Sequence, residues 1–492
     1  MRPWMLLIPI FLPVVCGLLL LLPGSLQRPT VRRVFLGVVL AVHAALTVAL
    51  AMRADMGLTL FDITDKLPVM LRLDNLSRIF SVLSSAMFFA AGIYSFEYMK
   101  HERDERRFFL FYLIVLGMLS GLAYSGNMMT LYLFFEAITL FSTPLVLHTL
   151  TKEAIAAAFQ YLFYSIGGAS LALIGFFFVY TYGTTLEFIP GGVLDAAKLA
   201  GNETAMLVAT LATIIGFGAK AGMFPLHAWL PAAHPVAPAP ASAVLSGVIT
   251  KAGIIATIRF VFQLVGAEFI RDTFVQYAWL ALSLFTVIMG SILAYKAPLL
   301  KTRLAYSSVS QVSYIQLGLA TLTATSALGS MLHMVFHSII KDALFMVAGV
   351  IIYKTGKTRV DELSGLGKQM PVTMWCFTLL GVALVGIPPA SAFVSKWQLA
   401  VGTLASGTGF FTWLGPVILL LSALLTAGYL FPISINAFFP DNNAKITTQE
   451  SVEPGASILL PLVLLTAAAF LAGIFSGGLI GLLSQLGLGI PA

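Results

Sequence analysis

The sequence predicts an all-α polytopic membrane protein with about 14 transmembrane helices, arranged as two inverted five-helix repeats that each contain a broken helix. Three observations lead there. Of the 492 residues, 59% are hydrophobic and 10% are charged, a balance outside the range of soluble domains. The apolar runs are ~20 residues long and lack strand-like alternation. Two of these runs flank a loop rich in Pro and Ala, and each holds a lysine, Lys220 and Lys251.

The runs lie at 4–22, 34–52, 76–97, 107–125, 128–149, 154–181, 204–222, 241–263, 275–295, 304–322, 327–353, 372–400, 412–435 and 457–485. No stretch is long and polar enough for an extramembrane domain, so residues 1–492 form one membrane domain. Trp4–Leu22 has the look of a signal peptide. It is long, however, and no small-x-small site follows it, so it reads as a retained helix. Cys16 and Cys376 both sit in apolar runs and support neither a disulfide framework nor a metal site.

The net charge is +7, yet the basic residues fall in short loops. This fits membrane topology and not nucleic-acid binding. With the N-terminus outside, the odd-numbered loops carry sixteen Lys and Arg residues, from Arg28 to Lys445. The opposite side carries seven: Arg2, Arg53, Lys66, Arg72, Arg78, Lys198 and Arg271. The bias places both termini outside. Five basic residues remain inside helices: Lys220, Lys251, Arg259, Lys341 and Lys396. Arg259, near a helix end, is expected to snorkel.

In the run 128–149, Tyr132, Glu136, Thr139 and Thr143 recur at helical spacing and make one polar stripe. Lys220 precedes Pro225, which cannot continue a regular helix. Irregular backbone at membrane depth persists inside protein or beside a water-filled cavity. A lysine at mid-membrane costs roughly 2.5–3.5 kcal/mol, whereas Leu in its place packs without that cost. Ser242, Ser246 and Thr250 form a second stripe beside Lys251. Loop structure accounts for His227 and His234, which lie around Pro225 and Pro235. His333, His337 and Lys341 recur every four residues as a third stripe. Lys396 follows a second break, at Pro388 and Pro389. Interrupted helices at corresponding positions mark the ion site of repeat-built transporters. The repeats fall at roughly 107–263 and 275–435.

The motifs resemble the antiporter-like subunits shared by respiratory complex I, the Mrp cation/proton antiporters and the energy-converting membrane hydrogenases. They run in order along most of the chain: LRLDNLSRIF, YSFEYM, FFEAITL, AKAGMFPLHAWLPAAHPVAPAPASAVLSG, TKAG, LLKTRLAYSSVSQVSY, HSIIKDALF, DELSGLGKQMP and GIPPASAFVSK. The resemblance assigns the family's proton relay to Glu136, Lys220, Lys251, His337, Lys341 and Lys396, with His333 secondary. Three residues depart from the pattern. Phe135 stands before Glu136 where many complex I members have Trp, which is closer to the Mrp and hydrogenase branch. Asp342 follows Lys341 where a small apolar residue is expected. Ala392 replaces a frequent Gly, which stiffens the break.

Proton transfer needs groups that change charge and are linked by water. Burial favours the neutral form of a lysine and a nearby carboxylate favours the charged form, so Glu136 is placed to set whether Lys220 keeps its proton. Histidine titrates near neutral pH and passes protons through either nitrogen. The plain alternative is an ion pair that fixes helix packing, but an apolar pair does this at lower cost. For His333, one hydrogen bond to a neighbouring helix is an equally good account. His333 and His337 have the spacing of metal ligands, but no third ligand is evident and Lys341 would repel a cation, so no metal site is expected. Neither a phosphate loop, a nucleophile motif nor a cluster-binding Cys pattern occurs, so no cofactor is expected in this chain.

The expected function is a proton-translocating subunit of a redox-driven, complex I-like assembly, with a subunit of an Mrp-type sodium/proton antiporter as the alternative. The chain would not be catalytic by itself. Its expected partners are other integral membrane subunits, with redox subunits elsewhere in the assembly, within a prokaryotic plasma membrane.

Overall fold

The computed structural model describes residues 2–64, 67–440 and 451–490. Lys66 and Lys445, two of the loop charges, lie outside the described residues. Along the chain the helices are α1 (Ile8–Leu19), α2 (Pro29–Ala51), α3 (Asn75–Tyr98), α4 (Glu105–Ala123), α5 (Met128–Val146), α6 (Lys152–Tyr182), the one-turn α7 (Ala196–Leu199), α8 (Glu203–Ala221), α9 (Trp229–Val236), α10 (Ala239–Val244) and α11 (Thr250–Phe260). There follow the one-turn α12 (Ala267–Ile270), α13 (Phe274–Lys296), α14 (Leu300–Ala320), α15 (Ala324–Thr355), the one-turn α16 (Leu366–Gln369), α17 (Pro371–Val385), α18 (Ser391–Leu404), α19 (Phe410–Phe438), α20 (Ala456–Ile474) and α21 (Ser476–Leu483).

Among the described residues, eleven helices are long and apolar enough to cross a membrane, and Pro3–Leu19 and Pro371–Val385 are shorter apolar helices. α14 is helical over 21 residues but is not among them, because its Ser- and Gln-rich sequence is too polar. The run predicted at 457–485 is divided into α20 and α21 at Phe475.

The all-α expectation needs one correction. The linker after α2 forms an antiparallel hairpin, β1 (Met56–Asp62) with β2 (Pro68–Leu73), and has an irregularity between Thr59 and Phe61. It lies across the α4–α5 turn, where Arg72 N donates to Tyr124 O at 2.6 Å and Met70 N to Thr130 Oγ1 at 2.9 Å.

Both predicted helix breaks are present. α8 stops at Ala221 because Gly222 takes the left-handed conformation (φ 80°), and α9 begins at Trp229. α17 stops at Val385 with Gly386 at φ 88°, and α18 begins at Ser391. Glycine adopts this geometry without the Cβ clash that opposes it in other residues. In each break a proline after a cis peptide follows the glycine by three residues, Pro225 after Gly222 and Pro389 after Gly386.

The centre of the protein is α15 together with the segment 239–265, which is buried along its whole length. α11 is flanked by two π-helical stretches, Leu245–Ile249 and Val261–Val265, a distortion that shifts helical hydrogen bonds by one residue. At the periphery, α2, α6 and α19 present exposed apolar residues such as Val34, Phe163 and Leu424, which suits a lipid environment.

Arg259 does not snorkel. It is 1% exposed and grips Asp74, the N-cap of α3, through Nη1 to Oδ2 at 2.5 Å and Nη2 to Oδ1 at 2.9 Å. Gln263 Oε1 accepts from the same guanidinium at 2.7 Å, and the Phe188 ring lies 5.0 Å away. The sequence pattern missed this because the partner is 185 residues distant.

Candidate functional site

The first cluster joins α5, α6 and α8. Lys220 reaches the core from the last turn of α8, just before the break, and is 1% exposed. Its ammonium donates to Thr139 Oγ1 and, at 3.3 Å, to Tyr161 OH. It also lies 5.3 Å from the Phe135 ring and 5.4 Å from the Tyr161 ring. Tyr161 OH continues the network to Ser142 Oγ at 2.7 Å. Glu136 is half-buried on the same stripe of α5. It makes no ion pair within 4.0 Å among the described residues, although its charge and that of Lys220 are within range of each other. The two therefore sit near but not in contact, with Thr139 holding the ammonium.

The second cluster is central. Lys251, on the first turn of α11, is fully buried. Its Nζ donates to Ser246 O within the π-helical stretch and lies 2.8 Å from His337 Nδ1. The stripe predicted beside it turns inward: Ser246 Oγ contacts Ser308 Oγ at 2.6 Å and Ser242 Oγ donates to His234 O at 3.1 Å. From His337 the contacts continue ring to ring. His337 and His333 have centroids 5.8 Å apart, and His333 and Tyr314 5.4 Å, both stacked. Lys396 Nζ then lies 5.1 Å from the Tyr314 ring. His333 Nδ1 contacts Ser395 Oγ at 2.9 Å, the cross-helix bond expected of a packing role. Nε2 of both histidines is buried without a hydrogen-bond partner among the described residues. A free imidazole nitrogen suits a proton acceptor or a water site.

Lys396 uses its break. Its ammonium donates to Leu384 O at 2.7 Å and Val385 O at 2.9 Å, carbonyls at the open end of α17. Such carbonyls lack helical partners and carry the negative end of the helix dipole. Lys341 points elsewhere, donating to Leu304 O at 2.9 Å and to Ser307 Oγ on α14. Among the described residues no hydrogen bond joins the Lys220 cluster to Lys251. The helices instead meet at Gly253, where a Cβ would run into the α8 backbone at Phe217 and Ala221 and the Lys220 side chain.

The sequence pattern placed two residues too far outside. His234 is not a loop histidine: it lies in α9, fully buried, stacked on Phe345 at 4.3 Å, with both ring nitrogens lacking a hydrogen-bond partner among the described residues. Pro235 suggested a loop, but α9 runs through it. Lys301, counted among loop charges, is 6% exposed and donates to Ala237 O at 2.8 Å. Nearby, Glu102 sits half-buried in the α3–α4 turn, where burial pushes its carboxyl up against the opposing charge of Lys301.

Residues 125–426 match the family described as NADH:quinone oxidoreductase/Mrp antiporter, TM, and residues 61–109 match complex I chain 5 N-terminus. The chain belongs to the NADH:quinone oxidoreductase/Mrp antiporter family. The first match contains every candidate residue from Glu136 to Lys396. The NADH-quinone oxidoreductase subunit N of Desulforudis audaxviator is 30% identical, over 98% of this chain and 97% of that protein. The D-type subunit of the Na(+)/H(+) antiporter of Bacillus subtilis is 29% identical, over 82% of this chain and 80% of that protein. A chain of the membrane-bound sulfane sulfur reductase, an archaeal respiratory membrane complex, shares the fold with a TM-score of 0.84 at 23% identity, covering 99% of this chain and 97% of that one.

Proposed function

We propose that the chain is a proton-translocating membrane subunit of a redox-driven, complex I-like assembly. The observation that carries this reading is the series of buried groups from Lys251 through His337, His333 and Tyr314 to Lys396. Buried ionisable side chains in a membrane are expensive and mark ion pathways. In this reading Glu136 sets the charge of Lys220, Lys251 and His337 carry the proton inward, and Lys341 or Lys396 releases it. Water between Lys220 and Lys251 supplies the link that side chains do not make.

The proposed topology has fourteen crossings: the eleven long apolar helices, the two shorter ones and α14. Two five-helix units, roughly 107–263 and 275–435, are inverted relative to each other. The matched breaks, Gly222 with Pro225 and Gly386 with Pro389, support the pairing. In this topology both termini lie outside a prokaryotic plasma membrane, a reading supported by the excess of basic residues on one side.

The relatives are named as subunits of an oxidoreductase and of an antiporter. The proposed partners are therefore other integral membrane subunits, with redox subunits elsewhere and no cofactor held by this chain. The second reading is a subunit of an Mrp-type Na+/H+ antiporter, favoured by the similarity to the Bacillus subtilis antiporter protein and by Phe135 at the Lys220 site. Purification of the native complex separates the two. Co-purifying iron–sulfur or hydrogenase proteins support the first reading. A complex of membrane subunits without redox proteins supports the second.

A further inference from the structure

Asp342 is fully buried, and neither carboxylate oxygen has a hydrogen-bond partner among the described residues. It follows Lys341, but adjacent helical residues point ~100° apart. Lys341 leaves α15 toward α14, where Leu304 O and Ser307 receive it. The Asp342 carboxylate leaves toward the π-helical stretch, where a Cβ on Gly247 would fall on its Oδ1. Any side chain at Gly247 would collide with the acid where it now lies. Gly247 follows Ser246, whose carbonyl receives the Lys251 ammonium, and Lys251 itself is one turn further on. Lys251 is the cation whose charge reaches Asp342, and Asp342 is the acid whose charge reaches Lys251. Tyr112 of α4 is also in range, but its hydroxyl donates to Phe88 O at 2.6 Å. An unpaired buried carboxylate is costly unless it holds a proton or faces a cation, and packing alone gives no reason to keep one.

The geometry points to Asp342 as a further proton-exchanging group of the path, forming with Lys251 a second acid–lysine pair beside Glu136 and Lys220. This inference rests on the relay reading above. In the step, carried by a water between the two groups, one N–H bond of the Lys251 ammonium breaks as the water takes that proton, and the water passes one of its own to an Asp342 oxygen, where an O–H bond forms, so two opposite charges become two neutral groups. The reverse transfer restores both. Lys251 thus has two acceptors for its proton, His337 Nδ1 in direct contact and Asp342 through the water, and Asp342 stores it while His337 is occupied.

Two measurements on the intact complex test this. In reconstituted vesicles, Asp342→Asn, which keeps the shape but cannot take the proton, lowers proton translocation by on the order of 10²-fold. In the wild-type complex, dicyclohexylcarbodiimide, which attacks protonated carboxyls in apolar surroundings, labels Asp342 in mass spectra, and the label falls as pH rises. Normal pumping by Asp342→Asn overturns the inference. So does the absence of label on Asp342 at every pH, a result that holds even where the variant fails to assemble. Lys220→Ala run in parallel separates the causes. If it is inactive while Asp342→Asn pumps normally, only the Asp342 inference has fallen; if both pump normally, the relay reading has fallen with it.

Discussion

Nζ of Lys251 and Nδ1 of His337 lie 2.8 Å apart, joining residues 86 positions distant in the chain. Two nitrogens at this separation share one proton. Either the ammonium donates to a neutral imidazole or the imidazole N–H donates to a neutral amine. In the proposed relay both alternatives are working states, and the contact is one hop. His337→Gln keeps an acceptor for Lys251 but carries no proton. Proton uptake into vesicles is expected to fall on the order of 10²-fold while the complex assembles normally. Near-normal uptake would mark the contact as structural.

The Asp74–Arg259 pair makes a separate prediction, about stability. Burial pushes the Asp74 carboxyl up, but the charge and hydrogen bonds of Arg259, with those of Ser77, outweigh it and hold the group at about 2, against an ordinary value of 3.8. A depressed carboxylate stabilises the fold above its unfolded pKa, and this is lost as pH falls through the folded value. Thermal stability in detergent should therefore decline between pH 4 and pH 2, by roughly 2–3 kcal/mol in total from this group. Arg259→Met leaves the acid unpaired and should cost about 3–5 kcal/mol at neutral pH. A melting temperature unchanged by Arg259→Met would contradict the anchor.

The second break makes a local prediction. At Gly386 the backbone has φ 88°, and an added Cβ would stand 3.0 Å from Lys396 Cδ. Gly386→Ala is expected to cost about 1–2 kcal/mol in backbone strain. It should also lower pumping by displacing the ammonium from Leu384 O and Val385 O. Wild-type stability and transport in this variant would show that the break tolerates ordinary helix geometry.

The sequence made the helical runs, both breaks and the three polar stripes visible, because apolar length, proline and four-residue spacing are local signals. Gly222 and Gly386 could have been read as stop signals beside their prolines. The hairpin at Met56–Leu73 was hidden in a linker between apolar runs. The π-helical stretches around α11 require no particular residue, so nothing in Leu245–Ile249 announces them. Which lysine meets which partner was not legible either. Lys220 finds Thr139 and Tyr161 before Glu136, and Asp342 faces Gly247 and Lys251 though it adjoins Lys341 in sequence. These are outcomes of helix packing across long sequence separations.

Glu136 is a half-buried carboxylate with no ion-pair partner within contact among the described residues. Glu136→Gln removes its charge and changes little volume. Pumping in vesicles should be almost abolished with the complex intact. Transport near the wild-type rate would remove Glu136 from the relay.

The central claim, that Lys220 transfers protons, is tested most directly by comparing Lys220→Ala with Lys220→Arg in reconstituted vesicles. Thr139 and Tyr161 hold the ammonium, and a guanidinium would keep the charge and the donors. A guanidinium, however, has a pKa above ~12 and releases no proton in a working cycle. The account predicts that both variants assemble and neither pumps. A Lys220→Arg complex that pumps at the wild-type rate would contradict it, because Lys220 would then be holding charge without transferring protons.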